Sequence, residues 1–310
     1  MTDHLAPDTS MQAVTLHVED LDLMTRYYRD ALLLHQVELP ATLALTPAER
    51  AEATALGRDG EALVILRRAP GLPRPGRGEA GLFHTAVLFD DAAGLAAALA
   101  SVATTAPSTF TGSADHLVSE AFYFTDPEGN GVELYHDRPR DSWGWDGDRI
   151  RMASLYLDPD AFLRDHLTDQ ARELVTTAPD ARPDAGPVAA AGAVVGHVHL
   201  QVGDVPAARG FYVDALGFEE TFSMGTALFV SAGGYHHHMA MNTWNSRGAG
   251  PRASTLGLAT VGIQVPAADD VAALRDRLTR AGVAVADDGT TLRFDDPWSN
   301  HLEVRAATSR

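Results

Sequence analysis

Three histidines stand side by side at His236, His237 and His238, inside the stretch GYHHHMAMNTW that runs from Gly234 to Trp244. The whole chain has 13 histidines. Neighbouring imidazoles repel one another once protonated, so a strand with a purely structural task rarely collects three. Neutral imidazole binds borderline divalent metals, and an imidazole near neutrality also carries protons. A single strand histidine is more often a packed or solvated residue than a ligand, so the rest of the chain must decide. There is no cysteine. Disulfides, thiolate metal sites and cysteine nucleophiles are therefore excluded, and His, Asp and Glu remain as metal ligands. No Gly-rich phosphate loop opens a helix, and neither G-x-S-x-G nor H-E-x-x-H occurs.

The 310 residues suit two domains of about 150 residues each. With 45% hydrophobic and 21% charged residues the composition is that of a globular protein, and the formal net charge is −18. Nucleic acid and anionic membrane are poor partners for such a chain, because both require a basic patch. The first residues, MTDHLAPDTS, lack the basic and apolar regions of a secretory signal, and no apolar run approaches the length of a bilayer span. The expectation is a cytoplasmic protein. Self-association is left open.

The elements that must position the histidines are duplicated. EDLDLMTRYYRDALLL (19–34) and GDVPAARGFYVDALGF (203–218) align at an offset of 184, which puts Asp20 on Asp204, Tyr28 on Tyr212 and Asp30 on Asp214. FTDPEGNGVELY (124–135) and FDDPWSNHLEVR (294–305) align at an offset of 170, matching Asp126 with Asp296, Asn130 with Asn300 and Glu133 with Glu303. Two matches in the same order mean a repeated domain. Each half also divides into two strand-then-helix units followed by short strands, so the pattern is βαβββ four times, over about 11–70, 81–137, 195–244 and 256–306. Between the halves, DAFLRDHLTDQARELV reads as helical, and TTAPDARPDAGPVAAAGA as a linker.

Paired βαβββ units, with FYVDALGF after a first strand and DPEGNGVELY on a last strand, resemble the vicinal oxygen chelate superfamily over nearly the whole chain. VGHVHLQV, FVSAGGYHHHMAMNTW and GLFHTAVLF resemble its two-domain catechol-2,3-dioxygenase-like branch. The resemblance implies an α+β fold of four βαβββ modules paired into two U-shaped, partly open β-barrel domains. The expected boundaries are 11–137 for an N-terminal domain, 138–192 for a connecting segment and 193–310 for a C-terminal domain. It also implies a metal held by residues from the first strand of each module of a pair and from the last strand of the second.

In the C-terminal half those positions carry His197 and Glu303, but an offset of 176 puts Thr260 where His84 stands in the second module. A third ligand is then expected from the histidine run. His238 lies nearest the ligand position of the glyoxalase-I-like members, whereas His237 matches the proton-handling histidine of extradiol dioxygenases. Strand alternation puts His236 and His238 on one face and His237 on the other, and the inward face stays open. The expected metal ligands are thus His197, His238 and Glu303, with His237 or His236 as the catalytic base. His199 shares a strand face with His197, and Tyr235 and Asn242 are candidates to orient substrate oxygens. In the N-terminal half His84 and Glu133 remain, but Ala13 replaces the first histidine. His17, four strand residues further on, would sit about 13 Å away. That half is expected to hold a relic site, with His116 and Tyr123 close to it.

The resemblance implies ring cleavage of a catechol-type aromatic with O₂, using Fe(II), or Mn(II) or another divalent metal. A glyoxalase- or isomerase-like metal site and a metal-free small-molecule binding protein are the alternatives.

Overall fold

The computed structural model describes residues 4–147, 149–177 and 192–307. Most of the expected linker lies outside these residues. The first module comprises β1 (Ser10–Val18), α1 (Leu21–Arg26) continuing as a π-helix over Tyr27–Ala31, β2 (His35–Val37), α2 (Pro47–Ala51), β3 (Ala53–Arg58) and β4 (Glu61–Arg68). The second has β5 (Gly81–Phe89), α3 (Ala92–Thr105), β6 (Phe110–Asp115), β7 (Ser119–Thr125) and β8 (Gly131–Asp137). A two-residue hairpin, β9 (Trp145–Asp146) and β10 (Arg149–Ile150), precedes α4 (Pro159–His166) and α5 (Asp169–Thr176). The third module is β11 (Ala193–Gln201), α6 (Val205–Arg209) with a π-helix over Gly210–Ala215, β12 (Glu219–Met224), β13 (Ala227–Ser231) and β14 (Met239–Asn242). The fourth is β15 (Gly257–Val265), α7 (Ala268–Arg280), β16 (Ala286–Asp287), β17 (Thr291–Asp295) and β18 (His301–Ala306). No helix among the described residues is long and apolar enough to cross a membrane.

Local chemistry explains these boundaries. Asp20, Asp91 and Asp204 cap the helices that follow the first three lead strands, each carboxylate accepting a backbone N–H three residues on. The lead strands alternate or run apolar, as strands with one packed face require.

The fold is α+β, built of paired βαβββ modules in two eight-stranded mixed sheets. One sheet has the order β16-β17-β18-β15-β1-β4-β3-β2, and the other β12-β13-β14-β11-β5-β8-β7-β6. Hydrogen bonding therefore joins the first module to the fourth through β1 and β15, and the second to the third through β5 and β11. The repeat offsets by themselves suggest pairing inside each half, 11–137 and 193–310. All four lead strands derive from one pattern and present similar edges, so local sequence does not select among them.

By packing, residues 1–17, 71–84 and 196–310 form one compact unit, and residues 18–70 and 85–195 the other. Each contains the same buried lock. In one unit the Tyr28 hydroxyl donates to Asp126 at 3.0 Å, and that carboxylate also accepts the backbone N–H of Glu128 and Asn130 and the Asn130 side-chain amide. In the other, Tyr212 donates to Asp296 at 2.9 Å, and Asp296 accepts from Trp298, from Asn300 and from the Asn300 amide. Burial pushes both aspartates up from the ordinary carboxylate range, and burial with the adjacent charge raises both tyrosines well above theirs. The lock fastens the helix of one module to the last hairpin of the next, which is why the two sequence matches fall on these residues.

Removing the hydroxyl leaves a buried carboxylate short of one donor. Tyr28→Phe and Tyr212→Phe are each expected to lower unfolding free energy by roughly 1–3 kcal/mol in urea titrations. A change near zero would mean the remaining three donors satisfy the carboxylate alone.

Candidate metal centre

Strand β5 lies between β8 and β11. It pairs in parallel with β8, where Ala86 stands opposite Glu133. Side chains two apart on a strand share a face, so His84, next but one to Ala86, shares the face on which Glu133 projects. On the other side of β5, β11 supplies His197. The ligand-type atoms of His84, Glu133 and His197 all lie within 4.8 Å of one another, and all three residues are buried. The Nε2 atoms of His84 and His197 are 3.3 Å apart.

This donor set fits a divalent cation. Two imidazoles and one carboxylate converging from one face leave the opposite positions open, the arrangement that suits non-haem iron and related ions. Without a cation, two facing Nε2 atoms can satisfy each other only if one is protonated. A cation draws on both lone pairs and also offsets the cost of a buried carboxylate.

Further groups surround the triad. Glu133 is hydrogen-bonded to Tyr123, which stands opposite it on β7, and burial with the Glu133 charge raises the Tyr123 phenol well above its ordinary value. The Tyr123 hydroxyl also lies 2.7 Å from Nε2 of His116, whose Nδ1 donates to the Ala153 carbonyl at 2.7 Å. Tyr123 has one proton for two acceptors. It therefore cannot donate to Glu133 and to His116 Nε2 at once. Next to His197 lies His237, with ring centroids 4.1 Å apart, and Nδ1 of His237 is 2.8 Å from Nδ1 of His236. His199 packs edge-on against His84, and its Nε2 accepts from the Asn242 amide at 2.9 Å. The Asn242 oxygen takes the Trp244 backbone N–H, which fixes the amide orientation. Phe83, Phe229 and Trp244 wall this cluster.

Of the expected ligands, only His197 belongs to the triad. Glu303 lies on β18 of the other sheet, where it accepts from Arg293 Nε at 2.8 Å. The His238 ring accepts the Ala232 N–H at Nδ1 and lies against Phe218 and Tyr235. The expected relic pair, His84 and Glu133, supplies the other two members instead. The cause is the pairing of β5 with β11. His84 and Glu133 occupy recognisable ligand positions in the sequence, but grouping by halves separates them from His197.

The histidine run also departs from strand alternation. Gly233 and Gly234 both adopt left-handed φ values (64° and 70°), and the chain re-enters a strand only at Met239. His236, His237 and His238 therefore sit in an irregular segment. His237 turns towards His197, buried His236 packs behind it against Tyr235, and His238 points to another wall. Tyr235 meets His236 and His238, while Asn242 acts on His199.

Fold and site together define a family, and comparison agrees. Residues 194–304 match the model of the Glyoxalase/Bleomycin resistance protein/Dioxygenase superfamily. The chain is 35% identical over 255 residues to a catechol-2,3-dioxygenase of Bacillus subtilis (strain 168), covering 81% of this chain and 83% of that protein. It belongs to this superfamily. Among solved structures, one from Bacillus subtilis, provisionally assigned as a dioxygenase, superposes with a TM-score of 0.62 at 12% identity over 99% of this chain and 87% of that one. Glyoxalase I from Zea mays superposes at 0.54 with 16% identity, over 96% and 92% of the two chains. These structural likenesses concern the fold.

Replacing any one of His84, Glu133 or His197 with Ala is expected to abolish tight binding of Fe(II) or Mn(II), measured by metal analysis after dialysis. Glu303→Ala and His238→Ala should retain it. Loss of metal in the latter pair, with retention in the former, would move the centre to the other sheet.

Proposed function

We propose that the protein is a metal-dependent extradiol dioxygenase that cleaves the ring of a catechol-type aromatic with O₂. The observation that carries this reading is the buried His84–Glu133–His197 triad with a further histidine, His237, against one of its members. The 35% identical relative named as a catechol-2,3-dioxygenase supports it. Fe(II) is the proposed ion, with Mn(II) as the nearest substitute. When bound there, it would supply coordination sites for both catechol oxygens and O₂.

The chain's own residues do the rest. His237 takes a proton from a catechol hydroxyl and later returns it, and His236, hydrogen-bonded to its Nδ1, holds the ring and accepts or supplies that proton in turn. Tyr123 orients the Glu133 carboxylate, and its phenol stays protonated across the working pH range, so it serves as a donor. His199, fixed by Asn242, keeps the wall beside His84 rigid. Phe83, Phe229 and Trp244 give the aromatic ring an apolar surface and exclude water. Small aromatic substrate and O₂ are the proposed partners.

Protein purified without oxygen and loaded with Fe(II) should consume one O₂ per catechol, followed with an oxygen electrode and by the absorbance of the ring-opened product. His237→Ala should keep its metal while turnover falls on the order of 10²–10⁴-fold, the range for loss of a general acid–base. A metal-loaded protein that consumes no O₂ with any catechol but isomerises a hemithioacetal would be glyoxalase-like instead.

A further inference from the structure

The repeat places a second set of residues at the counterpart of the metal centre, in the other sheet and wholly within the unit that contains residues 196–310. Glu303 corresponds to Glu133 and Arg293 to Tyr123 at the offset of 170, and Thr260 corresponds to His84 at 176. The strand register agrees: Tyr123 faces Glu133 across β7 and β8, and Arg293 faces Glu303 across β17 and β18. The chemistry has changed. Arg293 Nε donates to Glu303 Oε1, and Arg293 Nη1 to Asp288 at 2.6 Å. The Arg293 guanidinium thus supplies the positive charge that a carboxylate in this position requires, and a metal there would meet a fixed cation.

A cleft of about 800 Å³ remains around these groups, lined by Thr260, Arg293 and Glu303 with apolar walls that include Phe211, Val283 and Val285. Among the described residues, nothing accepts from Arg293 Nη2 or donates to Glu303 Oε2, and the Thr260 hydroxyl has no partner. Arg293 is shared between Glu303 and Asp288, and Asp295, Asp296 and His301 complete the polar lining, so the cleft offers one strong donor and strong acceptors, repels anions and already holds a fixed cation. Such a lining suits a small uncharged molecule with an apolar ring and a hydroxyl that can donate and accept at once.

We propose that this cleft is a second, metal-independent binding site for neutral hydroxylated aromatics. The ligand hydroxyl donates to Glu303 Oε2 and accepts from Arg293 Nη2 or Thr260, and the ring lies on the apolar wall. The site stands apart from the His84–Glu133–His197 centre and does not depend on what that centre catalyses.

The test uses the full chain stripped of metal and the probe 4-fluorophenol, followed by ¹⁹F NMR titration. Saturable binding is expected in the wild type and, unchanged, in His197→Ala. It should weaken about tenfold or more in Arg293→Leu/Glu303→Leu, which removes donor and acceptor together and keeps the net charge, in line with loss of hydrogen bonds to charged partners. Thr260→Val, a change of one atom type, should weaken it by a smaller factor without threatening the fold. Circular dichroism should show each variant folded, and Thr260→Val alone carries the test if the double variant is not. The proposal is overturned if the wild type shows no saturable binding. It is also overturned if His197→Ala abolishes binding, or if the folded cleft variants bind as the wild type does.

Discussion

The hydrogen-bonded pairing of β11 with β5 is the constraint on which the centre depends. It sets His197 beside His84, and the parallel ladder from β5 to β8 then carries Glu133 to the same face. No member of the triad could be moved by one residue along its strand and stay in the group, because a shift of one turns a side chain to the opposite face. The module boundaries, the caps and the hairpins serve to hold three strands in that register. The triad also explains its own burial. Two imidazoles and a carboxylate together in an apolar wall are costly unless each is hydrogen-bonded or shares a cation.

The same carboxylate position occurs twice in the chain, and the two copies meet its demand differently. Glu133 has an uncharged phenol opposite it on the neighbouring strand and imidazoles on the adjoining one, so its charge remains available to a cation. Glu303 has a guanidinium opposite, bound at 2.8 Å, with Thr260 in place of a histidine. The exchange of Tyr for Arg across the β-ladder, together with Thr260 in place of a histidine, turns the carboxylate position into one half of an ion pair. The Tyr–Asp–Asn lock, by contrast, is kept in both copies with hydrogen bonds that agree to within about 0.2 Å. Both copies keep the lock, whereas the His–Glu–His grouping occurs in only one.

The sequence makes the modules, the helix starts and the repeated lock legible, because each rests on local chemistry: Asp caps, alternating strands, and a Tyr and an Asp-Pro turn at fixed offsets. It also marks His84, Glu133 and His197 individually as ligand types in the right places. It does not make legible which lead strand lies beside which, since the four are variants of one pattern and β-pairing is a long-range choice. Grouping by halves therefore put Glu303 with His197 and set His84 and Glu133 aside. The path of the histidine run is not legible for a different reason. Gly233 and Gly234 adopt a left-handed backbone and the chain re-enters a strand only at Met239, so simple alternation does not apply to the three histidines.

That irregular segment decides which imidazoles border the triad. A regular strand would have placed His236 and His238 together, facing away from His237. The turn instead brings His236 and His237 within hydrogen-bonding distance and leaves His237 against His197. On another side, His116 and Tyr123 form a second chain that ends on the Glu133 carboxylate. The two chains meet different members of the triad, and they differ in kind. The Tyr123 chain ends on a member of the triad, whereas His237 borders the triad without belonging to it. An imidazole in that position could give and take a proton while the triad stays intact, with His236 behind it as its hydrogen-bonded relay, and this is the geometry on which the proposed proton-transfer role of His237 rests.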